Sequence, residues 1–280
     1  MTGWCSESPA FGKLQTVTCN AKKEMLQLLD RKKILDLNKT FASVIISVQD
    51  VTYNPIHKLN INTPGEMYLG DSESPRFVDQ DECDKMNFEA QQEFENRRDK
   101  IEVVSVKDKF CGFHVFTLRP KNIVEYLYKL TSDIEVITNQ LQWDKILFLM
   151  DYDTPWLYQE NDYPSVKSAL NHLKDIGVSP KFNGGFLANG KELVDLFKSI
   201  FWIARCNASL PYTYFAGEKS NVIGSICDEG NLHMDFYNQV EMNKFIEVTG
   251  KLGWTIVKDG NCNNKFDDYN IFEGQEMRIK

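Results

Sequence analysis

Hydrophobic and polar positions beyond residue 100 follow periods that predict a series of strands and helices. Short stretches rich in β-branched and aromatic residues predict strands, and apolar residues spaced three and four apart predict helices. The predicted strands are 100–107, 109–118, 145–151, 211–215, 221–227, 232–237 and 253–258. The predicted helices are 119–133, 163–177, 191–206 and 239–250. No regular alternation of strand and helix appears, so we predict an α+β fold with a mixed or antiparallel sheet packed with several helices.

The first hundred residues show a different pattern. An amphipathic stretch predicts a helix at 22–37, and the β-branched stretch 41–48 predicts a strand. From about 50 to 86 no period is sustained, and the stretch contains three prolines and two glycines. A loop of that length is usually functional or a linker. It leads into a strongly polar predicted helix at 86–100, so we predict an extended irregular N-terminal region.

These patterns divide the chain into two predicted regions. Residues 1–100 form an N-terminal region of helix and strand that carries an extended acidic arm at about 50–100. Residues 101–280 form an α+β core domain.

Composition and charge restrict the class of protein. Apolar residues make up 42% of the 280, which is enough for a packed core. The formal net charge is −8, which argues against a general binder of nucleic acid or of membrane surfaces. Seven scattered cysteines, with no signal-peptide pattern at the N-terminus, predict reduced thiols in a cytoplasmic protein.

The first candidate for chemistry lies at the end of the predicted strand 145–151. Asp151 and Asp153 follow the apolar run, and on a strand both would point to one face, about 7 Å apart. If both were buried, a cation or an arginine would have to compensate their repulsion. An exposed strand end needs no such partner, and we expect that arrangement.

The string Asp151-Tyr152-Asp153-Thr154-Pro155 resembles the first motif of haloacid-dehalogenase-type phosphohydrolases, an apolar strand ending in Asp-x-Asp-x-Thr/Val. Here the threonine stands one place early, and Pro155 occupies its position. The resemblance implies a Mg²⁺-dependent phosphohydrolase that uses Asp151 and Asp153.

A second candidate lies in the predicted strand 232–237. Alternation places His233 and Asp235 on the same face, where a carboxylate could orient an imidazole for acid–base work. Cys227 or Ser225, across a predicted hairpin, could supply a nucleophile. The alternative, which we prefer, is a polar outer face of the sheet.

Metal-binding and cofactor-binding patterns are missing from the sequence. Cys111 and His114 stand three apart on a predicted strand and therefore point to opposite faces. A second pair of ligands with zinc spacing does not occur. We predict neither a metal site nor a cofactor.

The sequence therefore favours a non-enzymatic protein-binding protein, such as an inhibitor, an immunity or anti-defence protein, or a regulatory subunit. Its partner would be another protein with a basic surface, and self-association into a homo-oligomer is compatible with the sequence. The predicted contact residues are the acids of the arm: Asp79, Asp81, Glu82, Asp84, Glu89 and Glu93. The alternative is the phosphohydrolase, so catalytic activity stays an open question at this point.

Overall fold

An eight-stranded antiparallel sheet forms the centre of the structure, which is a computed structural model. The structure describes residues 26–57, 64–67, 74–206, 211–258, 260, 262 and 278–279. The helices are α1 (Arg31–Leu37), α2 (Lys39–Tyr53), α3 (Gln80–Arg97), α4 (Ile123–Leu141), α5 (Pro164–Asp175), α6 (Gly190–Arg205) and α7 (Gln239–Lys251). The predicted α+β class is confirmed.

The sheet has the strand order β1-β7-β5-β8-β9-β10-β4-β11, and every ladder in it is antiparallel. Two further two-stranded ladders pair β2 with β3 and β6 with β12. The strands are β1 (Gln27–Leu29), β2 (Gly65–Met67), β3 (Arg76–Val78), β4 (Gly112–Thr117), β5 (Ile146–Met150), β6 (Gln159–Glu160), β7 (Gly185–Ala188), β8 (Thr213–Gly217), β9 (Val222–Ile226), β10 (Leu232–Phe236), β11 (Thr255–Ile256) and β12 (Arg278–Ile279).

Helices α4 to α7 cover one face of the sheet and form the larger core with it. Phe148 of β5, Phe197 of α6 and Phe215 of β8 meet there, with ring centroids 5.0 to 6.1 Å apart. Their interplanar angles are mostly steep, as aromatic pairs prefer.

Helices α1 and α2 cover part of the opposite face and form a second core. Leu147 and Leu149 of β5 point into this core, whereas Ile146, Phe148 and Met150 point into the larger one. β5 is therefore buried on both faces, which explains its continuous apolar sequence. The predicted strand at 145–151 is confirmed.

The stretch 41–48, predicted as a strand, is instead part of α2. Asn38 begins the helix, and its side chain accepts a hydrogen bond from the backbone N–H of Phe41 at 2.9 Å. Phe41 and Ile45, four positions apart, are both fully buried against the sheet. Burial of this helical face therefore outweighs the strand preference of the β-branched residues.

The predicted helix 22–37 is also only partly correct. Asp30 separates β1 from α1, and its carboxylate accepts the N–H of Lys33 at 2.8 Å, which starts the helix there. Residues 22–25 lie outside the described part of the chain.

The stretch 100–107, predicted as a strand, is not assigned to any ladder of the described residues. Ile101 and Val103 pack against the second core, so their alternation reflects burial of one side of an extended segment. The next predicted strand, 109–118, is correctly located, because β4 lies within it.

Contacts between the first hundred residues and the rest of the chain are extensive. β1 pairs with β7, with Leu28 opposite Phe186, and α1 and α2 pack on strands β5, β7, β8 and β9. These contacts cross the predicted boundary at residue 100.

The predicted irregular arm contains more regular structure than its sequence pattern indicates. β2 and β3 pair as a short antiparallel ladder, and α3 begins at Gln80, six residues before the predicted start. Asp79 caps this helix, because its carboxylate accepts the N–H of Glu82 at 2.9 Å.

Candidate functional site

The segment that follows β5, residues 151–154, lies at the junction of α1, α2, α3 and the sheet. Asp151 is fully buried, and Asp153 is partly buried. The expectation of an exposed strand end is therefore wrong for Asp151. The reason is that α2 and the start of α1 cover the end of β5, an arrangement that no local pattern in 145–155 indicates.

The Asp151 carboxyl group is bound by the Tyr53 side chain. The Tyr53 hydroxyl donates to Oδ1 at 3.0 Å, and Oδ2 is buried with no partner among the described residues. Burial raises the pKa of Asp151 to about 7, despite the opposing effects of Tyr53 and Arg31. Asp151 is thus mostly protonated below neutral pH.

The backbone around Asp151 is held by a buried ion pair and an amide. Arg31 forms an ion pair with Asp99 at 2.6 Å and donates to the carbonyls of Met150 and Tyr152 at 3.0 and 3.2 Å. Gln49 donates to the Asp151 carbonyl at 2.6 Å and to Asp99 at 2.7 Å. These long-range contacts fix the path of the chain as it leaves β5.

Arg97, at the end of α3, binds the next part of the same segment. Its guanidinium donates to the Asp153 carbonyl at 2.8 Å and to the Thr154 hydroxyl at 3.1 Å. It also lies over the Tyr152 ring, 4.4 Å from the centroid, and this ring stacks on Tyr53 at 4.2 Å. The C-terminal end of α3 is therefore attached to the end of β5.

This geometry suits structural anchoring better than phosphoryl transfer. An aspartate nucleophile must be ionised and must reach its substrate, whereas Asp151 is sealed from solvent and has a raised pKa. The Asp153 carboxylate accepts a hydrogen bond from Asn183. Among the described residues, the Tyr53 hydroxyl is the group that binds the Asp151 carboxylate, and Asn183 binds that of Asp153, so the two carboxylates have different partners.

His233 and Asp235 lie on the same face of β10, as predicted. Their neighbours Leu232, Met234 and Phe236 point into the larger core, while His233 and Asp235 are half-buried on the other face. Burial raises the pKa of Asp235 to about 6. Ser225 stands opposite His233 in the β9–β10 ladder.

Cys227, directly after β9, lies near His233. Cys262, which no sequence pattern connects to them, lies near both. The Sγ of Cys262 lies 2.9 Å from Nε2 of His233 and 3.7 Å from Sγ of Cys227. The three possible ligand atoms lie within 4.8 Å of one another. Burial, with Cys262 nearby, raises the pKa of the Cys227 thiol to about 12.

The pair Cys111 and His114 lies elsewhere, at the start of β4. The thiol of exposed Cys111 donates to the Lys109 carbonyl at 3.3 Å. The His114 ring contacts the rings of Phe116 and Phe236.

The predicted contact acids of the arm all lie on α3 or at its N-terminal cap. Asp81, Asp84, Glu89 and Glu93 are exposed, and Glu82 is partly exposed. The predicted helix 86–100 includes only Glu89 and Glu93 of these acids, whereas α3 also includes Asp81, Glu82 and Asp84. Whether they contact a partner stays a prediction.

No family model, no curated protein and no solved structure matches this chain. None of the helices in the described part of the chain has the length and apolar composition needed to cross a membrane. The class defined by the fold is thus an α+β protein built on an antiparallel sheet, and functional arguments rest on its own geometry.

Proposed function

We propose that this protein is a non-enzymatic binding protein, of an inhibitory or regulatory kind, which engages a basic surface of another protein through β3 and α3. One observation carries the proposal. Of the 18 residues of α3, only Cys83 and Phe94 are buried, and nine are exposed, four of them acidic. A polar helix of this kind often faces a partner.

The charge on α3 supports a basic partner. The helix contains six acidic and two basic residues. Asp81 and Asp84 are exposed and have no ion pair among the described residues. Glu89 and Glu93 pair with Lys85 and Arg97 in exposed i,i+4 contacts, which are worth about 0.5 kcal/mol or less each and can be exchanged for contacts with a partner.

Two exposed aromatic side chains accompany these acids. Phe88 lies in the middle of α3 with 65% of its surface exposed, and Phe77 of β3 has 68% exposed. Aromatic residues are enriched in protein interfaces, where charged residues tend to form the rim. Phe88, which is exposed on the same helix as these acids, therefore fits a contact surface with an apolar centre and a charged rim.

The attachment of α3 to the rest of the molecule supports tight binding. Arg97 anchors its C-terminal end to the segment after β5, and Arg76 of β3 forms an ion pair with Glu82 near its N-terminal end. A surface held in place before binding loses less conformational entropy on association.

The test uses the full-length chain as bait, followed by purification of the protein it captures and measurement of the dissociation constant. We expect Phe88→Ala, and separately Asp81→Lys with Asp84→Lys, to weaken binding by about ten-fold or more, the loss expected for a central contact. Matched controls are Tyr128→Ala on α4 and Asp175→Lys on α5, which change an exposed aromatic and an exposed acid elsewhere.

Equal losses in the control variants and the α3 variants would contradict the role of α3. The proposal would also be overturned by Mg²⁺-dependent turnover of a phosphate ester that Asp151→Asn abolishes, because that result would establish the phosphohydrolase.

A further inference from the structure

We propose that Cys227, His233 and Cys262 form a binding site for one thiolate-preferring divalent metal ion, with Zn²⁺ as the reference ion. The site is independent of the surface on α3. It combines two sulfurs and one imidazole nitrogen within 4.8 Å, and these are the ligand types that zinc binds in proteins.

The distances suit a tetrahedral ion. Two sulfurs bound at about 2.3 Å to one tetrahedral zinc stand about 3.8 Å apart, and the two Sγ atoms here are 3.7 Å apart. A sulfur and a nitrogen on the same ion stand about 3.5 Å apart. The 2.9 Å between Cys262 and His233 would lengthen by roughly half an ångström, because an ion would replace the present hydrogen bond.

The scaffold fixes two of the three ligands. Cys227 directly follows β9 and His233 is the second residue of β10, so the two stand on either side of the hairpin turn. Hydrogen bonds close this turn between Gly230 N–H and the Cys227 carbonyl at 2.9 Å and between Cys227 N–H and the Asn231 carbonyl at 3.1 Å. Gly230 has a φ of 67°, and the Tyr126 hydroxyl donates to its carbonyl at 2.9 Å. Metal ligands on such a turn keep their relative positions.

The surroundings of Cys227 also favour a thiolate ligand. The Asn231 N–H donates to its sulfur at 3.4 Å, as outer contacts to metal-bound cysteines do. The Asn231 side chain is 1% exposed, and its amide N and O have no hydrogen-bond partner among the described residues. A polar group buried in this way has the capacity for further contacts that a hydrated ion would offer.

Cys262 provides access from solvent, because it is exposed whereas Cys227 is buried. Three protein ligands leave the fourth position of a tetrahedral ion to water or to another donor. A disulfide is the competing arrangement, but its sulfurs would stand about 2.05 Å apart, well below the 3.7 Å here.

The experiment uses the full-length chain, purified with a reductant, treated with a chelator and then titrated with Zn²⁺ alone. We expect one zinc per chain by elemental analysis. We also expect a thiolate-to-metal charge-transfer band when Co²⁺ is used in place of Zn²⁺. Cys262→Ser and His233→Ala should each weaken Zn²⁺ binding by about 100-fold or more, since loss of even an outer contact costs ten- to 100-fold.

The matched controls are Cys111→Ser and His57→Ala, which change an exposed cysteine and an exposed histidine elsewhere. They should bind Zn²⁺ like the unmodified chain. Because Cys262 is exposed, its serine variant should retain the circular dichroism spectrum of the unmodified chain. The proposal is overturned by substoichiometric zinc, by equal affinity in Cys262→Ser, or by a Cys227–Cys262 disulfide in the reduced preparation without zinc binding.

Discussion

At the scale of single residues, Asp151 is an acid that is completely buried at the end of β5. Its carboxyl is fully buried, and Oδ2 has no hydrogen-bond partner among the described residues, so this acid is mostly protonated below neutral pH. The adjacent Arg31 and Gln49 bind backbone carbonyls and Asp99, rather than this carboxyl. The residue therefore makes folding stability depend on pH.

Replacing Asp151 by Asn should remove one component of that pH dependence. In the unfolded chain Asp151 ionises near pH 4, whereas in the folded chain its pKa is about 7. The folded state therefore binds more protons between these values, and the free energy of unfolding falls as pH rises from 4 to 7. This component is at most about 4 kcal/mol, and the Asn variant should lack it.

Urea unfolding at several pH values measures this difference between the variant and the unmodified chain. Asp235→Asn is the matched comparison. Folding also raises the pKa of Asp235, to about 6, so this residue should contribute a pH dependence in the same direction over a narrower pH range. Parallel pH profiles for Asp151→Asn and the unmodified chain would contradict the buried, neutral state.

At the scale of elements, the sequence predicts those whose local pattern and burial agree. β5 is apolar throughout because both of its faces are buried, and the predicted helix 163–177 contains α5, which has Pro164 in its first turn. The strand predicted at 41–48 is wrong because burial of one face of α2, which begins at the Asn38 cap, outweighs the strand preference of its β-branched residues.

Replacing Asn38 by Ala should therefore destabilise the protein more than loss of an ordinary cap. The Asn38 side chain caps α2 and also donates to the carbonyls of Gly217 and Ser220 at 3.0 and 2.8 Å in a buried position. We expect a loss of about 2 to 3 kcal/mol in the free energy of unfolding, since buried carbonyls lose their partner as well.

The control is Asn122→Ala, which removes an exposed cap of α4 and should cost about 1 kcal/mol. Thermal or urea unfolding of both variants provides the comparison. A loss for Asn38→Ala no larger than that for Asn122→Ala would show that the links from α2 to the sheet contribute little.

The candidate sites show the same limit of local reasoning. The shared face of His233 and Asp235 follows from alternation along one strand, so it could be predicted. Cys262 stands 29 residues from His233, and no spacing rule connects a polar tail to a hairpin. The burial of Asp151 depends on α1 and α2, which precede it by about a hundred residues.

At the scale of the whole molecule, the proposed association would be affected by both the net charge of −8 and the acids of α3. Opposite charge on a partner increases the rate of encounter, and salt screens that attraction. The association rate constant of the proposed complex should therefore be lower by a factor of about ten or more at 0.5 M salt than at 0.05 M salt. Stopped-flow or surface-based kinetics measures both rates.

The dissociation rate should change less than the association rate over the same range. Asp81→Lys combined with Asp84→Lys should reduce the salt dependence, and Asp175→Lys should reduce it less because that residue lies on α5. An association rate that does not change with salt would contradict a contact driven by the acids of α3.

The strand order has a consequence for how the chain reaches its native state. β5 pairs with β7 and β8, both of which come later in the sequence, and β1 pairs with β7 across about 160 residues. Pairings between distant segments cost loop-closure entropy before they are rewarded, so such sheets fold slowly. During synthesis β5, which is apolar throughout, therefore leaves the ribosome before β7 and β8, so it stays unpaired and exposed to aggregation until they emerge.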